Sequence, residues 1–318
     1  MPARSAWGTF VYVVGRTLRG RRGRAAVGGI ALFGALLGGI FAGMAVADDP
    51  PRSIGGVTYR HDVVSVTPPG QFLVDVMCPT GTHVSGGAST SESGTQGEVQ
   101  MSAPGDGPDA DRLPDDLWRA RHAFRSSEGP QGLNADVICL GGGLTYESRT
   151  IVLHAGEPGT VTAPCGPSRH VAGGGAVLAR GGPASYVNSS YPWDSADAGT
   201  VPDDGWTARA YNGTGGGDLS LRVYATCVST SPAYFKAGQS VAPGSADFAH
   251  APCPQTRHLI GAGARVSGPA FDAVLTGTSI GDGSDPDLAP DDTVDAGTRV
   301  IPGAFASRNL TAFAICRV

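Results

Sequence analysis

Apolar and polar positions alternate along this chain in short bursts. Val63–Val66, Phe72–Val76, Ile151–Leu153 and Leu219–Tyr224 carry β-branched or alternating apolar residues and are bounded by Gly and Pro. That pattern predicts short strands joined by turns. No convincing amphipathic helix follows residue 47, so the expected fold class is all-β.

The first 47 residues follow another pattern. Arg16, Arg19, Arg21, Arg22 and Arg24 form a basic block. Ala25 to Ala47 carries no charge and ends Ala45-Val46-Ala47, just before Asp48-Asp49-Pro50. A basic region, an apolar run and small residues at the junction predict a signal peptide over 1–47. The run is also long enough to cross a bilayer, so an uncleaved anchor is the alternative and the one expected route to a membrane. Either way the remainder is expected outside the cytoplasm, secreted or anchored facing outward. Residues 48–56 read as a linker.

Beyond it the pattern repeats. Cysteines stand at 78, 139, 165, 227, 253 and 316, with pair spacings of 61, 62 and 63. Tyr59, Tyr146 and Tyr234 each lie 19 residues before a first cysteine, and Val66, Leu153 and Val241 each lie 12 before it. So many positions in one register predict three tandem copies of about 88 residues: 57–143, 144–231 and 232–318. Six residues after each first cysteine comes Val84, Val171 or Leu259, and two further on comes Gly86, Gly173 or Gly261. A strand glycine at a fixed place marks a bend or a close backbone approach. Trp118 and Trp206 occupy equivalent positions and are expected core anchors; the third copy has Val294 there.

Six cysteines in an exported chain imply a disulfide framework. Two connectivities respect the repeat. One pairs within copies (Cys78–Cys139, Cys165–Cys227, Cys253–Cys316) and needs no ring closure. The other pairs across boundaries (Cys139–Cys165, Cys227–Cys253, Cys316–Cys78). A bridge closing such a loop stabilises by about 4 kcal/mol in the chain-entropy model.

Cys78-Pro79-Thr80-Gly81 followed by Gly86-Gly87 resembles the repeat of the vitelline membrane outer layer protein family, which implies a pseudo-threefold β-prism-like arrangement. The wider pattern of Cys-Pro-x-Gly, a glycine triplet, a later Trp strand and a closing Cys resembles uncharacterised secreted repeat proteins of actinobacteria. That second likeness implies export and no particular activity. A closed ring and a row of beads both remain open from the residues themselves.

Charge narrows the partners. Residues 1–47 hold six of the 23 basic residues and none of the 28 acids, so the remainder has 17 basic residues and a net charge of −11. Nothing basic tracks a phosphate backbone, and nucleic acid is not an expected partner.

The sharpest candidate chemistry is acidic. Each copy has Asp at the same four places: Asp106, Asp109, Asp115, Asp116; Asp194, Asp197, Asp203, Asp204; Asp282, Asp285, Asp291, Asp292. The last two of each set follow a proline. Calcium is the candidate ligand, since it takes carboxylate and carbonyl oxygens in flexible loops. The competing reading is turn chemistry, in which Asp bonds nearby backbone and Pro presets the angle. His83, His170 and His258 each stand five residues after a cysteine; they could share a metal on a threefold axis or sit at the surface. Asp pairs could cleave glycosides, but no hydrolase or protease signature is present. Asn188, Asn212 and Asn309 stand in Asn-x-Ser/Thr sequons. Repetition, export and acidic loops beside aromatics such as Trp193 lead to one expectation: a non-catalytic extracellular binding or surface protein for glycan or cell-envelope polymer. A secreted hydrolase and a purely structural protein are the alternatives.

Overall fold

The computed structural model describes residues 51–317, apart from 95, 109–110, 126–128, 180, 183, 196–200, 214–216 and 284–288. The signal-peptide expectation over 1–47 lies outside the described residues, as do Asp109, Asp197 and Asp285.

The protein is all-β, and the described residues contain no helix. A short strand β1 (Arg52–Ile54) leads into the first copy, which forms β2 (Val57–Val66), β3 (Gly70–Met77), β4 (His83–Ser91), β5 (Glu98–Gly105), β6 (Leu117–Phe124) and β7 (Gln131–Leu140). The second forms β8 (Thr145–Leu153), β9 (Pro158–Pro164), β10 (His170–Ala179), β11 (Tyr186–Trp193), β12 (Gly205–Tyr211) and β13 (Leu219–Val228). The third forms β14 (Ala233–Val241), β15 (Ala246–Pro252), β16 (His258–Val266), β17 (Ala273–Gly281), β18 (Thr293–Val300) and β19 (Arg308–Arg317).

Three antiparallel sheets result, and each is shared by two copies. Their orders are β1-β2-β7-β4-β17-β18-β15, β3-β6-β5-β10-β13-β8 and β14-β19-β16-β11-β12-β9. The first, sixth and third strands of one copy thus continue into the fourth, fifth and second strands of another. The third copy completes the sheet of the first, the first that of the second, and the second that of the third. No copy closes a sheet by itself.

Glycine makes the meeting of the copies possible. A β-bulge separates Val84 from Gly86, Val171 from Gly173 and Leu259 from Gly261. At each bulge the glycine abuts the backbone of another copy. A Cβ on Gly86 would lie 2.8 Å from the Ile260 carbonyl oxygen; on Gly173, 2.1 Å from that of Ser85; on Gly261, 2.1 Å from that of Ala172. No side chain fits in that space.

The core grows outward from there. Trp118 and Trp206 are buried, and their indole N–H groups donate to Ser102 Oγ at 3.1 Å and Ser190 Oγ at 2.8 Å. Gly87 and Gly174 lie under these rings, where a Cβ would come within 2.4 Å of Trp118 and 2.5 Å of Trp206. The third copy has Ala262 and Val294 at these places, so the smaller apolar residue and the added methyl change together. The disulfides pair within copies, Cys78–Cys139, Cys165–Cys227 and Cys253–Cys316, with Cα–Cα distances of 5.8, 5.8 and 6.1 Å.

The three repeated tyrosines tie copy to copy. Tyr146 donates to the Val84 carbonyl at 2.8 Å, Tyr234 to Val171 at 2.6 Å, and Tyr59 to Leu259 at 2.7 Å. Burial pushes the Tyr146 and Tyr234 phenols above their ordinary range.

Candidate functional site

The repeated aspartates form a clamp. In Asp115, Asp203 and Asp291 the carbonyl accepts from Val84 N (2.8 Å), Val171 N (2.8 Å) and Leu259 N (2.9 Å). Their carboxylates accept from the Nδ1 of His83 (2.7 Å), His170 (2.6 Å) and His258. In Asp116, Asp204 and Asp292 the carbonyl accepts from the first-cysteine N–H at 2.8, 2.7 and 2.6 Å. Their carboxylates accept from Gly107 N (2.9 Å), Ser195 N (2.7 Å) and Gly283 N (3.0 Å). The proline ahead of each pair fixes the turn. Each Pro-Asp-Asp therefore pins the first cysteine, the strand behind it and the preceding loop in one place.

These bonds are of the kind turn chemistry uses, and they involve Asp115, Asp116, Asp203, Asp204, Asp291 and Asp292. Asp106, Asp194 and Asp282 lie in the loops after β5, β11 and β17. Among the described residues no group of three or more His, Cys, Asp or Glu side chains could hold a metal ion. The three histidines form no such group among the described residues, and each is bonded to the aspartate of its own copy. Two sequon asparagines are buried and used internally: Asn188 donates to the Ala273 carbonyl at 2.8 Å and Asn212 to that of Leu153 at 3.0 Å.

The copies also differ where two of them meet within a sheet. On the second sheet an open groove of about 590 Å³ runs between β5–β6 and β8–β13. Its lining includes Tyr146, Tyr224, Glu147, Asp106, Arg112, Arg119 and Arg222. Arg119 makes a two-pronged bond to Asp75, at 2.7 Å for each contact. Arg222 lies over the Tyr224 ring, 5.9 Å from its centroid, and donates to Thr150 Oγ1 at 3.0 Å.

The corresponding place on the first sheet holds a pocket of about 210 Å³, lined by His61, Arg60, Asn134 and Asp136 among others. His61 Nδ1 donates to Asp136 at 2.6 Å. Burial pushes the Asp136 carboxyl above its ordinary range, and the bond from His61 pulls it back part of the way. On the third sheet the same place is filled by the stacked rings of Tyr191 and Phe313, centroids 5.9 Å apart, with Arg265 over Tyr191.

Strand register makes Asp136, Tyr224 and Phe313 equivalent, because their partners are His61, Ser148 and Lys236 at matched positions after the repeated tyrosines. The framework is thus repeated and the faces are not. The repeat register singles out the clamp and passes over the groove. A usable signal was the opposite one: positions in register whose side chains disagree in charge, such as Asn134, Arg222 and Thr311. The constant His-to-Asp separation of 32 or 33 residues is a further signal.

No protein-family model matches the chain, and no curated protein is similar to it. Three disulfides point to an oxidising, extracellular environment. No helix among the described residues is long and apolar enough to cross a membrane.

Proposed function

We propose that this is an exported, non-catalytic binding or surface protein that recognises glycan or cell-envelope polymer through the groove on the second sheet. The three copies form a pseudo-threefold, prism-like frame, and residues 1–47 direct export and are removed. The observation that carries the reading is the groove itself. It is open, and it offers two tyrosine rings beside arginine and carboxylate groups. Saccharides are held by this combination of ring stacking and directional hydrogen bonds.

Cosedimentation of the mature protein with insoluble envelope polysaccharides tests it. Binding that weakens when Tyr224 or Arg222 is replaced by Ala supports the reading. Failure to bind any such polymer overturns it and leaves the purely structural alternative ahead.

One observation favours the hydrolase alternative. Asp136 is a buried carboxyl held above its ordinary range at the wall of a pocket, which is what a general acid requires. Polysaccharide turnover that disappears in Asp136→Asn alone would establish that alternative.

A further inference from the structure

The charges lining the groove on the second sheet are mixed in sign, and Arg112, Arg222 and Glu147 belong to this face only. Arg119 is neutralised by Asp75, which leaves Arg112 and Arg222 opposite in sign to Asp106 and Glu147. All four are exposed, and none of them makes an ion pair among the described residues. The fold does not demand Arg222 or Glu147. At the place of Arg222 the other sheets have Asn134 and Thr311; at the place of Glu147 they have Arg60 and Phe235. The same framework stands on either choice.

Backbone geometry adds a second, independent observation. Arg112 adopts φ +66°, a left-handed conformation that costs free energy for any residue with a side chain. Gly would remove the strain. Ser168, away from the groove, adopts the same conformation at φ +60°, so the strain marks Arg112 as a position where Gly is the test substitution.

Resting on the polymer-binding reading, we propose that the groove takes a zwitterionic segment, a polymer whose units carry both a cationic amine and an anionic carboxylate. Arg112 and Arg222 receive the carboxylate, the guanidinium fork being matched to it in shape. Glu147 receives the amine, and Asp106, which is common to all three copies, adds negative charge to the same groove. Tyr224 lies under Arg222 and accepts from it at 3.3 Å, which holds the guanidinium at the groove. A neutral glycan would leave two cations and two anions without use, and a polymer of one sign would meet like charge in the groove.

The test uses four soluble polymers with the mature protein: carboxymethyl chitosan, chitosan, polygalacturonate and dextran. Carboxymethyl chitosan is expected to bind about tenfold or more tighter than the other three and to weaken with salt. Arg222→Gln should shift the preference toward chitosan, and Glu147→Gln toward polygalacturonate. Arg112→Gly should weaken binding while raising the melting midpoint. Dextran bound as tightly as carboxymethyl chitosan, without salt dependence, would overturn the charge assignment and leave the glycan reading standing. Chitosan bound equally well in Glu147→Gln would also overturn it, by showing attraction to the net negative protein alone. Binding of none of the four would overturn both.

Discussion

Tyr59 donates its hydroxyl proton to the carbonyl of Leu259, 200 residues later in the chain and 2.7 Å away. The same bond links Tyr146 to Val84 and Tyr234 to Val171. The first two residues named belong to the first and third copies, so this bond joins the two ends of the repeated region. Tyr59→Phe removes the donor and keeps the ring. It leaves a buried carbonyl short of a partner, which costs about 1–3 kcal/mol. Denaturant unfolding is expected to show a loss of that size, with Tyr234→Phe close to it.

Glycine at the bulges admits a sharper test. Gly173→Ala would set a methyl 2.1 Å from the Ser85 carbonyl oxygen, and backbone on both sides must move. The expected loss is above about 3 kcal/mol, at the extreme of single substitutions. Gly166 has open space around it. Gly166→Ala should stay within about 0.5 kcal/mol, the ordinary range for a surface change.

His122 sets part of the acid limb of stability. It is buried, with Nε2 2.9 Å from Ser89 Oγ, and burial pushes its pKa down to about 3. The folded value is depressed, so the unfolded chain takes a proton first as the pH falls. Stability is full above the ordinary histidine range and is lost as the pH drops toward about 3. Within that window the slope is about 1 kcal/mol per pH unit. His122→Gln should flatten it. Glu98 lies nearby with its carboxyl raised by burial and acts in the opposite sense at higher pH. It is common to parent and variant and cancels in the comparison. Urea titrations between pH 4 and 7 supply the slopes.

Calcium is expected to leave the melting midpoint unchanged relative to chelator. The described Pro-Asp-Asp carboxylates already accept from backbone N–H and histidine. A ligand that binds only the folded state must raise the midpoint. A clear rise would return the acidic loops to metal binding.

Much of the frame was legible in the sequence, because it is stated three times. The all-β class, the glycines at close approach and the Trp118 and Trp206 anchors followed from register and residue type. The pairing of cysteines within copies was one of two arrangements that the spacing allowed. The sharing of sheets was not legible. β4 pairing with β17 instead of β5 changes no local pattern, since strand alternation is blind to which copy supplies the neighbour. Metal binding and turn formation also ask for the same residue at the same place, so the sequence does not separate them. The groove escaped notice for the reverse reason. Arg222, Glu147 and Tyr224 have no matching counterparts, and a search for agreement cannot find them.

Under the proposed function, residues repeated in every copy build the frame and unmatched residues of the second sheet bind. The most direct measurement is polysaccharide cosedimentation of folded Asp203→Asn and Arg222→Gln, side by side with the parent protein. Asp203→Asn is expected to melt earlier and bind as the parent does; Arg222→Gln is expected to melt as the parent does and bind weakly. Loss of binding in Asp203→Asn with full binding in Arg222→Gln would contradict the account and place function in the repeated loops.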